Sequence, residues 1–238
     1  MSRRLARRLV LPLTAPIGSV RQVSSPQPHV VLTYDDGPQP GATERVLEAL
    51  AHAGCTATFF VLVGRAEKYR SLLGEVRSAG HEIALHGVDH VRLTTLPPRE
   101  VRTRTADGKH RLEDLIGTEV RWFRPPYGAQ KPATYAAIRA TGLDSVVWDV
   151  AAFDWEDHPA AALAERTLKQ VHSGAVVLMH DGYAGPEDGV DDGPAPTFDR
   201  GELARLVCAG LAERGLTGVS LRDALTGGKT VKRAWFRS

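Results

Sequence analysis

The sequence predicts an α/β fold: a parallel sheet curled into a distorted (β/α)7-type barrel, in a single domain. Three observations predict it. From residue 28 onward short apolar runs alternate with helix-like stretches, the pattern of strands joined by crossover helices. The chain has 238 residues, a size at which one α/β barrel forms one core. Nearly every unusual polar side chain also stands at the C-terminal end of a predicted strand. In a parallel barrel those ends share one face, where active sites are built.

The elements follow in order. His29–Tyr34, "HVVLTY", reads as a buried strand. Residues 43–54 have helical spacing, with Thr43 as a cap and Gly54 as a stop. Residues 56–63, "TATFFVLV", are β-branched and aromatic, hence a strand. A helix over 68–80 ends at Gly80, and a short strand over 82–86 ends at His86. A long polar-faced helix over 98–117 carries Gly108 inside it. Strands follow at 120–123, 145–150, 175–180 and 218–221, with helices at 132–141, 159–172 and 200–214. The stretch 181–200, rich in Gly, Pro and acids, reads as a long acidic loop. The domain reading is therefore a basic extension over 1–27, a catalytic unit over 28–225 and a tail over 226–238.

Composition is ordinary for a globular chain, with 42% apolar and 24% charged residues. A net charge of +2 gives no argument for nucleic acid. The only two cysteines, Cys55 and Cys208, sit in apolar settings and read as buried thiols. Arg3, Arg4, Arg7 and Arg8 head a short apolar stretch interrupted by Pro12 and Pro16. That arm resembles a signal peptide but lacks a clear small-residue cleavage site, and it is too short to span a bilayer. The reading is an uncleaved cytoplasmic extension, with export or weak contact with an anionic membrane surface as the alternatives. Oligomeric state is left open.

The chemistry starts at Asp35 and Asp36, adjacent acids at the end of the first strand. Alone, "DDGP" is a good turn. "HGVDH" sets His86 and His90 four apart, a weak signal by itself. With an acid from another strand end it makes a His₂Asp set suited to a divalent ion and open to water and substrate. A cation would neutralise one aspartate and leave its neighbour free as a base. Arg124 opens "RPPYG", either a rigid turn or a clamp on a buried carboxylate. Asp154 and Trp155 in "FDW" read as a capping acid beside a core indole, or as an acid beside a flat wall. Asp149 also follows a strand. His180, in "LMHDG", stands where a strand opens into the acidic loop.

Taken together, these segments resemble the polysaccharide deacetylase family, the NodB homology domain of carbohydrate esterase family 4. "TYDDG", "HGVDH", "RPPYG", "FDW" and "LMH" are similar to the family's five motifs, in its order, across about residues 28–225. The resemblance implies one divalent metal ion, most often Zn²⁺ with Co²⁺, Ni²⁺ or Mn²⁺ as alternatives, held by Asp36, His86 and His90. It implies that Asp35 is the general base toward a metal-bound water and that Arg124 holds Asp35. The backbone N–H of Tyr127 would bind the oxyanion, and Asp154 would orient His180, the general acid. Trp155 and Leu178 would line the acyl pocket.

Two positions depart from the pattern. Gly87 stands where a serine or threonine usually braces the histidine loop, and Asp89 is the candidate replacement brace. Ala151 stands where the fourth motif often has an acid.

The implied activity is hydrolysis of an N-acetyl group on an amino sugar or glycan. The alternatives are a formyl or O-acetyl group, a lipid-linked or small amino-sugar precursor, and a non-catalytic metal- or glycan-binding protein. The acidic loop is either a solvated loop or a lid. As a lid, its Glu187, Asp188, Asp191 and Asp192 would favour a cationic, partly deacylated sugar.

Overall fold

The computed structural model describes residues 18–238, so the basic arm over 1–17, and the membrane contact read into it, lie outside the described residues. The first strand is one the sequence reading left out: β1 (Ser19–Ser24). It is followed by β2 (His29–Asp35), in which six of seven residues are buried. A strand covered on both faces belongs at the centre of a parallel sheet. Period-2 alternation then sorts its side chains. Val30, Leu32 and Tyr34 enter the apolar layer shared with the helices, and Val31 enters a second cluster with Phe60, Ala84, Trp122 and Val176 inside the barrel. Thr33 and Asp35 continue the inward row.

The chain then runs α1 (Thr43–His52), β3 (Thr58–Leu62), α2 (Val63–Lys68), α3 (Arg70–Ser78), β4 (Glu82–Gly87) and α4 (Pro98–Ile116). Next come β5 (Trp122–Phe123), α5 (Pro132–Arg139), β6 (Asp144–Ser145), β7 (Val150–Ala151), α6 (Ala160–Leu168) and β8 (Val176–His180). The last elements are α7 (Arg200–Ala212), β9 (Thr217–Val219), α8 (Leu221–Ala224) and β10 (Lys229–Arg233). The sheet order is β6-β5-β4-β3-β2-β8-β7, with β9 on β2, and its pairings are parallel. Counting β6 and β7 as one interrupted strand, this is the expected distorted (β/α)7 barrel in a single domain.

The interruption is where the sequence reading and the structure differ most. Residues 145–150 read as one strand, but the first part of this run pairs with β5 and the last part with β8. The gap between is filled by β1, whose Val20 carbonyl accepts the Val147 N–H at 2.8 Å. Val20 and Val23 insert into the barrel interior, joined there by Leu221 and Ala224 of α8. β1 also pairs antiparallel with β10. The predicted extension and tail therefore contain two strands that belong to the folded unit.

The helix expected over 68–80 begins earlier, at Val63, and breaks at Tyr69 between α2 and α3. The early start buries Arg65, which reaches the acidic loop. In α4 the buried row is Val101, Thr105, Gly108, Leu112 and Ile116, spaced for one helix face. A Cβ at Gly108 would stand 3.2 Å from Val88, so the glycine lets the helix press on the histidine loop. Both cysteines are buried and free. No helix among the described residues is long and apolar enough to cross a membrane.

Candidate active site

Asp35 ends β2 on the inward row, so alternation would send Asp36 to the opposite face. The backbone prevents that. Asp36 adopts a left-handed conformation, φ 73°, one that Asp tolerates better than most residues. Both carboxylates consequently line one cavity of about 610 Å³ at the C-terminal mouth of the barrel. Gly37 follows because a Cβ there would lie 2.0 Å from the Asp181 carboxylate.

Asp36, His86 and His90 form the one cluster of potential metal ligands found among the described residues, with ligand atoms within 4.8 Å of one another. Asp36 Oδ1 lies 3.3 Å from His86 Nε2 and 3.5 Å from His90 Nε2. His86 Nδ1 contacts the Arg124 carbonyl at 2.8 Å. A carbonyl only accepts, so Nδ1 carries the proton and the Nε2 lone pair faces Asp36. Two lone-pair atoms at that distance repel, and Asp36 Oδ1 is buried with no donor of its own. A cation between them satisfies both, so these residues fit a divalent metal. Burial opposes ionisation of Asp36, but the positive imidazole of His180 across the cavity favours it, and its carboxyl lies well below the ordinary range. Burial pushes His90 down to about 4 against a smaller opposing pull from Asp36. It is neutral near pH 7, as a ligand must be.

The histidine loop is braced by Asp89, the residue the sequence reading named, through a partner that reading did not name. A Cβ at Gly87 would stand 2.5 Å from the Asp89 carbonyl oxygen. The local backbone therefore excludes the serine or threonine. Asp89 braces the loop by a different route: its carboxylate takes the Arg104 guanidinium of α4 at 2.6 and 2.7 Å. The His90 N–H donates to the Asp188 carbonyl at 3.0 Å, which anchors His90 to the acidic loop.

Asp35 is clamped from beneath. Arg124 is fully buried, and its Nη1 donates to Asp35 Oδ1 at 2.6 Å and to Thr33 Oγ1 at 2.8 Å. The guanidinium rests on Phe60, 4.2 Å from the ring centre. Its clamp role follows from the chemistry: a buried guanidinium needs a paired carboxylate.

His180 ends β8 across the cavity. Its Nδ1 meets Asp154 Oδ1 at 2.8 Å, and its own backbone N–H donates to Asp154 Oδ2 at 2.7 Å. Burial alone would lower the imidazole, but Asp154, then Asp36 and Asp35, push it up to about 9. It is therefore protonated at neutral pH. Arg200, which the sequence reading missed, completes the group by donating to Asp154 Oδ2 at 3.2 Å and to the His180 carbonyl at 3.1 Å. It opens α7 just after the capping Asp199, and no strand-end pattern marks it.

Tyr127 has φ 61° and lines the cavity with Trp155 and Leu178. Its ring packs on His90 at 4.4 Å, and its phenol donates to Asp192 at 2.6 Å. Trp155 stays 42% exposed at the rim, whereas Leu178 is buried. Asp149 lies elsewhere, bound by Arg21, Gln22 and His172.

The acidic loop does not offer four free carboxylates. Asp188 is buried against Arg65, with contacts from 2.6 to 3.2 Å. Glu187 pairs with Lys68 at 2.8 Å. Asp192 takes the Tyr127 phenol. The cationic-sugar expectation is weakened, because Glu187 and Asp188 are neutralised by Lys68 and Arg65, and of the four only Asp192 lines the cavity.

Comparison with known proteins bears on this geometry. A family model for polysaccharide deacetylase matches residues 22–146. The chain is 32% identical over 167 residues to a chitooligosaccharide deacetylase of Azorhizobium caulinodans, covering 70% of this chain and 80% of that protein. It is 31% identical over 163 residues to peptidoglycan-N-acetylmuramic acid deacetylase PdaC of Bacillus subtilis, covering 68% of this chain but 34% of that longer protein. A solved family 4 carbohydrate esterase from Streptomyces lividans, in complex with acetate, superposes with a TM-score of 0.71. At 26% identity that match covers 88% of this chain and 100% of the esterase.

Proposed function

The chain belongs to the polysaccharide deacetylase family, carbohydrate esterase family 4, and on that premise we propose that it is a metal-dependent hydrolase removing an N-acetyl group from an amino sugar of a glycan. One observation carries the reading. A metal-ligand set, a clamped carboxylate and a protonated imidazole face one cavity from three strand ends. The relatives named above, which act on chitooligosaccharides and peptidoglycan, support a glycan as substrate.

Asp36, His86 and His90 would hold the metal, with Zn²⁺ the best match to two imidazoles and a carboxylate. When bound, it supplies Lewis-acid polarisation of the acyl carbonyl and acidifies water. Asp35 takes the proton from the attacking water. Arg124 holds one of its oxygens, leaving the other, 3.9 Å from His86 Nε2, toward the cavity. The left-handed turn at Tyr127 presents its backbone N–H as an oxyanion donor, a contribution of roughly 2.7–4 kcal/mol where such donors have been removed. His180 gives its proton to the departing nitrogen, because an amine leaves only when protonated. Asp154 keeps the imidazole oriented and charged, and Arg200 fixes Asp154 in place. Leu178 and Trp155 wall the acyl group.

The test is mass-spectrometric detection of the free amine after Zn²⁺-loaded protein meets chitooligosaccharides and peptidoglycan fragments. Asp35→Asn and His180→Ala should each abolish it while retaining fold and metal content. Full amide turnover by His180→Ala would overturn the acid assignment. Ester turnover without amide turnover in that variant would identify an O-acetyl activity beside the amide one.

A further inference from the structure

Three charged side chains line the cavity beyond the machinery just described: Arg92, Arg237 and Asp192. Asp192 is engaged, since its carboxylate accepts the Tyr127 phenol. The two arginines are not. Each has its guanidinium carbon over an aromatic ring, Arg92 at 4.1 Å from the Tyr127 centre and Arg237 at 3.9 Å from that of Trp235. Neither has a carboxylate partner or a side-chain hydrogen bond among the described residues. A cation–π contact takes up no hydrogen-bond acceptor, so the five N–H donors of each guanidinium remain available to a ligand.

Both platforms stand on the same turn. Tyr127 belongs to it, and the Trp235 indole N–H donates to the Gly128 carbonyl at 2.9 Å. The chain end is tied there again by the Arg237 N–H on the Gln130 carbonyl at 3.0 Å. Arg92 is two ring contacts from the proposed metal-ligand His90, through Tyr127. The arginines therefore flank the mouth at a set distance from the reacting group. Two available guanidinium groups against one engaged carboxylate leave the mouth cationic.

We propose that Arg92 and Arg237 form a carboxylate-recognising rim, so that the preferred glycan carries an anionic substituent on or beside the N-acetylated sugar. This inference rests on the deacetylase reading and deepens it. A planar carboxylate matches the guanidinium fork, a geometry that lysine or a neutral donor does not supply. It also reverses the charge preference read from the acidic loop.

The experiment separates binding from turnover. Calorimetry on the Zn²⁺-loaded Asp35→Asn protein compares three probes: the neutral N-acetylglucosamine tetramer, the same tetramer bearing a 3-O-carboxyethyl ether, and one oxidised to a carboxylate at C6. At least one acidic probe should bind about tenfold more tightly than the neutral one at low salt, and which one identifies the carboxylate's position. Adding Arg92→Gln and Arg237→Gln together should bring that ratio to about one, whereas Arg92→Lys should restore only part of it. Equal binding of all three probes, or an acidic preference that survives the double substitution, would overturn the proposal. A preference without turnover by the native chain would instead fault the hydrolase reading and leave the rim intact.

Discussion

Replacing Asp154 by asparagine tests the acid arm of the site with little change of shape. His180 sits at about 9 against an ordinary 6.5, a preference for the imidazolium of roughly 3 kcal/mol. Burial works against that preference, and Asp154 is the largest contribution in its favour. Without the carboxylate, His180 should fall to 6.5 or below. At pH 7.5 a group with pKa 6.5 is only about one-tenth protonated, so kcat/KM on an amide substrate should drop at least about tenfold. An asparagine amide can also turn its N–H₂ toward Nδ1 and impose the wrong tautomer, deepening the loss. The assay is the pH profile of kcat/KM on an N-acetylated oligosaccharide. The alkaline limb should lie at or somewhat below pH 9 in the native protein, since a bound cation lowers it, and about two units lower in the variant. Stability carries the same signature. His180 is raised on folding, so its contribution is full below pH 6.5 and is lost as pH rises through about 9. That alkaline decline should vanish with Asp154→Asn. An alkaline limb that does not move would refute the assignment of His180 as the acid.

Two further substitutions probe the frame around the metal ligands. Gly87→Ser, which restores the residue usual in the family, should lower both the melting temperature and the Zn²⁺ affinity, because its Cβ meets the Asp89 carbonyl; a gain in either would contradict the structure. Arg65→Ala strands the buried Asp188 carboxylate, at a cost of roughly 3–5 kcal/mol. Limited proteolysis should then cut within residues 181–200 of the acidic loop, and metal affinity should fall, since Asp188 also anchors the His90 N–H.

Much of this was legible in the sequence. Strand-end polar residues pointed to Asp35, His86, Arg124 and His180, because the C-terminal ends of parallel strands necessarily share a face. The convergence of Asp36 was less direct: alternation sends it away, and only its left-handed backbone brings it back. Arg200 escaped because it acts from a helix start, through Asp154, at a position any surface arginine could occupy. β1 and β10 escaped because each is short and is stabilised by a partner more than two hundred residues away in the chain. The run over 145–150 carries the composition of one strand, yet its two ends serve different neighbours. The partners of the acidic loop depended on where α2 begins, and strand or helix propensity at Val63 does not decide that.

The central claim is that the Asp36, His86 and His90 cluster holds a metal required for deacetylation. It is tested most directly by adding Zn²⁺ in increments to chelator-stripped protein and following release of acetate from an N-acetylated glycan. Acetate release should rise to a plateau at one equivalent of metal and be absent from Asp36→Ala at the same metal level. Release by the stripped protein, or by Asp36→Ala at the native rate, would contradict it.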